Sequence, residues 1–215
     1  MFSLVVFDLD GTLVDSRRDL SESANELLAE CGADALSEAV VTPMVGNGAP
    51  ALVARAFAAS GIEPPADAVP RFVAIYARRL LNHTRAYPRM DEVLAALGAR
   101  ASLAVLTNKP LAATRAILAG LNLARHFADE AILGGDGPLP RKPDPTGLQY
   151  LLARVGTTPP EALLVGDSMV DWRTARNAST AICLARYGFG FAGVSTAELG
   201  PDDRVIDAPA DLLQI

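Results

Sequence analysis

The chain has 215 residues, half of them hydrophobic and a fifth charged, which is enough to bury a substantial core. Its formal net charge of −6 and pI near 4.9 argue against nucleic acid or an anionic membrane surface as the main partner. No apolar run is long enough to span a bilayer, so small molecules remain the expected ligands.

The amino-terminal segment predicts a buried strand, because residues 2–7 carry no basic leader and run directly into Asp8. The two cysteines, Cys31 and Cys183, lie far apart and match no metal-ligand spacing. Free thiols in a reducing cytosol are the simplest interpretation of this pair. We therefore expect a cytoplasmic protein without a disulfide.

Five short apolar runs predict strands that are covered on both faces. They are residues 4–7, 102–106, 131–133, 163–165 and 181–184. Apolar residues at helical spacing predict four helices in the later half of the chain, at residues 88–97, 111–121, 146–155 and 171–178. Strands that alternate with helices predict an α/β fold, a doubly wound parallel Rossmann-like sheet.

Residues 17–84 break this alternation, because they contain several helical stretches and no convincing strand. Glycine and proline residues divide the segment into roughly four helices. We interpret it as an inserted helical domain. Residues 1–16 and 85–215 would then form the Rossmann-like catalytic core.

Four polar clusters follow predicted strands or their loops, at residues 8–12, 107–109, 141–144 and 166–171. The carboxyl ends of parallel strands share one edge of a sheet, where ligands bind, so these clusters should converge. Asp8, Asp10, Asp167 and Asp171 would then face Lys142, which leaves a net charge of −3. A divalent cation would lower this to −1, and ligands that are all oxygen favour Mg²⁺.

In content and order, these clusters resemble the four motifs of the haloacid dehalogenase superfamily, and residues 8–13 match the D-x-D-G-T-[LV] pattern of its phosphatase branch. The resemblance implies that Asp8 attacks phosphorus and forms an aspartyl-phosphate. It also implies that Asp10 protonates the leaving oxygen and later deprotonates the attacking water.

The resemblance further assigns the groups that hold the phosphoryl oxygens. These would be Thr107 and Lys142, with backbone amides near Gly11 and Asn108.

The resemblance also implies a set of magnesium ligands. They would be the Asp8 carboxylate, the Asp10 backbone carbonyl and Asp167, while Asp171 would orient Lys142 or a water on the metal. Lys109 and Ser168 are interpreted as helix-start residues with side chains in solvent, outside the chemistry.

Residues 17–84 correspond to the helical cap that closes over the site in this superfamily. Within it the chain most resembles the phosphoglycolate phosphatases, through residues 45–50, 105–110, 134–136, 141–145 and 165–168. The expected substrate is therefore 2-phosphoglycolate, with its carboxylate bound by the loop of Gly46, Asn47 and Gly48. Arg55 is a further candidate for this contact.

Several alternatives follow from the same motifs. A dehalogenase would lack the second acid, which Asp10 supplies, and a phosphonate hydrolase needs a cap lysine that residues 17–84 lack. A phosphatase of sugar phosphates or pyrophosphate, a sugar phosphomutase and a non-catalytic binding protein remain open. The oligomeric state also stays open between monomer and homodimer.

Overall fold

The computed structural model describes residues 2–215, and its centre is a six-stranded parallel sheet of order β5-β4-β1-β6-β7-β8. Its strands are β1 Leu4–Phe7, β4 Ser102–Leu106, β5 Ile132–Leu133, β6 Ala162–Gly166, β7 Ala181–Ala185 and β8 Arg204–Ile206. The predicted parallel α/β fold is confirmed. The sixth strand, β8, was not predicted.

Alternate residues of the central strands enter two separate apolar clusters, as the two-residue period of a strand requires. Val5 and Phe7 pack with the helices α5 (Met90–Gly98) and α6 (Leu111–Gly120). Leu4 and Val6 pack on the other side of the sheet with α7 (Thr146–Val155) and α8 (Met169–Ala178). Each fully buried Leu, Val or Phe contributes roughly 1.5–3 kcal/mol, so both faces hold the sheet in place.

Residues 17–84 form four helices, which agrees with the number expected from the glycine and proline residues that divide the segment. They are α1 Arg17–Glu30, α2 Glu38–Val41, α3 Ala49–Ala59 and α4 Ala68–Ala77. A third apolar cluster, which includes Leu28, Phe57 and Phe72, lies among these helices. The division into a catalytic core and a cap remains a prediction.

A short antiparallel ribbon joins the helical segment to the sheet. It pairs β2 (Val14–Asp15) with β3 (Arg85–Ala86). Beside it, the buried carboxylate of Asp19 accepts hydrogen bonds from the backbone amides of His83 and Thr84 at 2.7–3.0 Å. These contacts hold together the two chain segments that connect residues 17–84 to the sheet.

None of the helices within residues 2–215 combines the length and the apolar character needed to cross a membrane.

Candidate active site

The polar clusters lie at the carboxyl edge of the sheet, where β1, β4 and β6 end side by side. Phe7 is in register with Val105 of β4 and with Val165 of β6, so Asp8, the next residue, lies beside the carboxyl ends of both neighbouring strands. The Lys142 ammonium lies 2.8 Å from Asp8 Oδ1. Four chain segments thus meet around the Asp8 carboxylate.

Three buried carboxylates surround one point at this edge. Asp8, Asp167 and Asp171 each offer an oxygen, and these oxygens lie within 4.8 Å of one another. Asp171 Oδ1 accepts from Lys142 Nζ at 2.6 Å, and its Oδ2 accepts from the Ser168 hydroxyl and amide. Asp167 Oδ2 accepts from the Gly190 amide at 2.7 Å. Asp171 is therefore occupied at both oxygens.

Burial makes two of these acids, Asp8 and Asp167, harder to ionise. It raises the pKa of Asp8 to about 6, against the opposing effect of Lys142, and it raises the pKa of Asp167 well above its usual range with help from Asp171 and Asp8. Burial alone would lower the pKa of Lys142, but the carboxylates of Asp171 and Asp8 raise it. Lys142 is therefore a permanent cation at neutral pH.

The sequence analysis placed the Lys109 side chain in solvent, and this is wrong because the structure shows it buried. Its Nζ lies 2.9 Å from both carboxylate oxygens of Asp10, and Asp10 Oδ1 also accepts from the Ser16 hydroxyl at 2.5 Å. The lysine stands just before α6, and its side chain reaches across to the end of β1 because Asp10 offers the compensating charge. Ser168 does begin a helix, as predicted, but it also contacts Asp171.

Thr107 and Asn108 follow β4 directly, and both are buried. The Thr107 hydroxyl accepts from the Lys109 amide at 3.2 Å. Asn108 Nδ2 donates to the carbonyls of Gly46 (2.9 Å) and Lys142 (3.0 Å), so it ties the helical segment to the sheet edge. Asn108 Oδ1 is buried and has no hydrogen-bond partner among the described residues.

Gly11 occupies a position that only glycine can fill. Its φ is +85°, and a Cβ there would lie 1.8 Å from Asp167 Oδ2. The turn after β1 thus brings its backbone directly against the Asp167 carboxylate.

The loop of Gly46, Asn47 and Gly48 is only partly in the expected place. Gly46 and Gly48 line a cavity of about 320 Å³ that also reaches Asp8 and Asp10. Asn47 is outside the cavity lining, and its Oδ1 accepts from Arg55 Nη2 at 2.8 Å. Arg55 is exposed and also donates to the Met44 carbonyl, so it supports the loop from outside.

The donor set at the sheet edge fits a divalent cation. Asp8, Asp167 and Asp171 are buried, and their carboxylate oxygens lie close together. The group contains no nitrogen or sulfur ligand, which matches the preference of Mg²⁺ for oxygen. The sequence-based charge count did not include Lys109. When it is included, the two lysines and the acids Asp8, Asp10, Asp167 and Asp171 have a formal net charge of −2 rather than −3, so one divalent cation would neutralise the cluster. It would also favour the ionised form of Asp8 and Asp167.

Sequence reasoning missed Lys109 and Tyr76 of α4, which is buried against it. The Lys109 Nζ lies 4.5 Å from the centroid of the Tyr76 ring. One signal was available for Lys109, because it is one of only two lysines in the chain. No spacing in the sequence points to Tyr76.

Comparison with known protein families gives a match to the haloacid dehalogenase-like hydrolase model over residues 5–185. A phosphoglycolate phosphatase of Rhodospirillum rubrum is 44% identical over 194 residues, covering 86% of this chain and 80% of that protein. One of Haemophilus influenzae is 36% identical over 223 residues, covering all of this chain and 98% of that protein.

A solved structure agrees with these sequence matches. The crystal structure of a predicted phosphoglycolate phosphatase from Haemophilus somnus superposes with a TM-score of 0.91 at 35% identity, covering 99% of this chain and 97% of that one. The match of family, fold and motif order leaves one assignment: this chain belongs to the haloacid dehalogenase-like hydrolases.

Proposed function

We propose that this hydrolase is a magnesium-dependent phosphatase that converts 2-phosphoglycolate to glycolate and phosphate through an aspartyl-phosphate on Asp8. The observation that carries the proposal is the position of Asp8, which lies 2.8 Å from a permanently charged lysine, beside two further acids and at the floor of a cavity. The phosphoglycolate phosphatases among its relatives support the substrate.

In the first half-reaction, an oxygen of Asp8 bonds to phosphorus while the bond from phosphorus to the ester oxygen breaks. Asp10 gives its proton to that oxygen, so glycolate leaves as an alcohol. Lys142 and Thr107 bind the phosphoryl oxygens, and Lys142 is held for this task by Asp171. In the second half-reaction, Asp10 takes a proton from water, whose oxygen attacks phosphorus and releases Asp8.

The carboxylates of Asp8 and Asp167 and the Asp10 backbone carbonyl would hold Mg²⁺, which supplies positive charge against the phosphate. Residues 17–84 would act as the cap that excludes water, and the Asn108 contact to Gly46 is one point at which cap and core meet. The Gly46 and Gly48 amides remain candidates for substrate binding, whereas Asn47 would act through the loop conformation.

Substrate preference is the direct test of the proposal. We expect kcat/KM for 2-phosphoglycolate to exceed that for ethyl phosphate by ~10⁴-fold, because a site built for a carboxylate leaves its donors unpaired when that group is missing. Sugar phosphates and pyrophosphate should also be poorer substrates. If one of them is preferred by about tenfold or more, the substrate assignment fails while the phosphatase assignment survives.

Magnesium should stabilise the protein more at pH 8 than at pH 5. The raised pKa of Asp8 means that its contribution to stability is present at low pH and is lost as pH rises through about 6, and the raised pKa of Asp167 acts in the same direction. A bound cation offsets this loss, so the rise in Tm on moving from chelator to Mg²⁺ should grow with pH. Thermal unfolding at pH 5 and pH 8, in chelator and in Mg²⁺, measures this rise in Tm, and Ca²⁺ is the comparison ion.

Two variants separate the ligands from their neighbours in that experiment. Asp167→Ala should raise the magnesium concentration needed for stabilisation more than Asp171→Ala does, since Asp171 is already occupied by Lys142 and Ser168. The opposite order would mean that the roles of the two acids are exchanged. A magnesium effect that is equal at both pH values would contradict the charge argument.

A further inference from the structure

The cavity above Asp8 has polar groups on one side and an apolar wall on the other. Asp8, Asp10 and Thr107 line the sheet side. The cap side consists mainly of apolar side chains, contributed by Leu20, Val45, Leu52, Phe72, Val73 and Leu80. A small polar substrate must therefore find its hydrogen-bond partners near the floor.

Lys109 is the one positively charged residue among the described residues that line this cavity. An ammonium group has three donors, and two are directed at the oxygens of Asp10. The Tyr76 hydroxyl lies close enough to affect this ammonium, but among the described side chains only Asp10 accepts hydrogen bonds from it in good geometry. One donor therefore remains for a ligand, at a group whose side chain is 4% exposed.

Tyr76 brings the matching polar atom from the cap. Its hydroxyl is buried without a hydrogen-bond partner among residues 2–215, although the residue lines the cavity and its ring lies against Lys109. Burial raises the pKa of Tyr76 to about 12, so the group stays a neutral donor at physiological pH. A buried hydroxyl with no partner costs free energy, which a ligand acceptor would recover.

We propose that the Lys109 ammonium and the Tyr76 hydroxyl form the subsite that binds the carboxylate of the substrate. The inference rests on the proposed function, in which Asp10 contacts the ester oxygen. Lys109 Nζ lies 2.9 Å from the Asp10 carboxylate, so the ammonium and the ester oxygen would both contact the same side chain. In 2-phosphoglycolate a single methylene carbon separates the ester oxygen from the carboxylate, so Lys109 is in reach.

The apolar wall makes this subsite selective. A charge-assisted hydrogen bond is strong where water is excluded, so the carboxylate gains most from Lys109 when the cap covers it. The hydroxyl groups of a sugar phosphate would instead face Leu52, Phe72 and Leu80, which offer no partners. The same geometry thus accepts a short anion and rejects a longer polar chain.

The test compares two substrates that differ only in the carboxylate, 2-phosphoglycolate and ethyl phosphate. Lys109→Met should lower the ratio of their kcat/KM values by ~10–100-fold, and Tyr76→Phe should lower it by about fivefold. Loss of Lys109 also disturbs Asp10, but that effect falls on both substrates and cancels in the ratio. Inhibition by glycolate should weaken in parallel.

Two further variants serve as controls. Tyr150→Phe removes a hydroxyl from an exposed tyrosine on α7 and should leave the ratio unchanged. Lys109→Arg keeps the charge and should restore part of the preference. If the wild type prefers 2-phosphoglycolate but both Lys109→Met and Tyr76→Phe keep that preference, the subsite is wrong and the proposed function stands. If the wild type shows no such preference, the assignment of 2-phosphoglycolate as the substrate fails, and the subsite fails with it.

Discussion

Asp8→Asn should lower kcat by ~10⁴-fold or more while the protein remains folded. The amide keeps the shape of the side chain but is a poor nucleophile, so no aspartyl-phosphate forms. Phosphate release by the purified variant, together with acid-quench labelling by ³²P-substrate, measures both the rate and the intermediate. The wild type should retain label on the protein, and the variant should retain none.

The stability of this variant separates a chemical from a structural loss. Since burial raises the pKa of Asp8 to about 6, ionising it at neutral pH costs more free energy in the folded protein than in the unfolded chain, and a neutral amide removes that cost. We expect a Tm in chelator at least as high as that of the wild type. Lys142 keeps Asp171 as its partner.

A matched substitution in the same cavity provides the control. Asp136 lines the cavity but is exposed, and its Oδ1 accepts from the Leu111 amide at the start of α6. Asp136→Asn keeps this acceptor and should leave phosphate release near the wild-type rate. Near-wild-type turnover by Asp8→Asn, free of contaminating phosphatase, would overturn the assignment of the nucleophile.

The fold could be predicted from the sequence because its central strands are buried on both faces and read as continuous apolar runs. Residues 4–7 and 163–165, for example, contain no polar side chain. The edge strand β8 was missed, since it has three residues and begins with an exposed Arg204. The ribbon of β2 and β3 was missed because two-residue strands carry no period.

The candidate site is easiest to predict where its residues follow strands directly. Asp8, Thr107 and Asp167 are placed by the strand ends, so their convergence follows from a parallel sheet. The direction of a long side chain does not follow from it. Lys109 belongs to the same cluster as Thr107, but its burial depends on Asp10 and on Tyr76 of α4, which are distant in sequence. Such contacts become visible only in three dimensions.

Asp10→Asn should produce a loss that depends on the leaving group. An acid that protonates the ester oxygen contributes roughly 10²–10⁴-fold when the leaving group is a poor one. Ethyl phosphate should therefore lose activity by a factor in that range, whereas 4-nitrophenyl phosphate, whose phenolate leaves without protonation, should lose much less. The measurement is kcat/KM for both esters in the wild type and the variant.

The structure makes the comparison between esters necessary, because Asp10 has a second role. Its carboxylate is the partner of Lys109 and of the Ser16 hydroxyl, so the amide leaves the Lys109 charge without a full counter-charge. That disturbance lowers both rates by a common factor and cancels between the two esters. Asp15→Asn makes the same substitution outside the cavity lining, at a residue paired with Arg17, and should leave the comparison unchanged. Equal losses for the two esters would show that Asp10 only holds Lys109 and that the proton comes from another group.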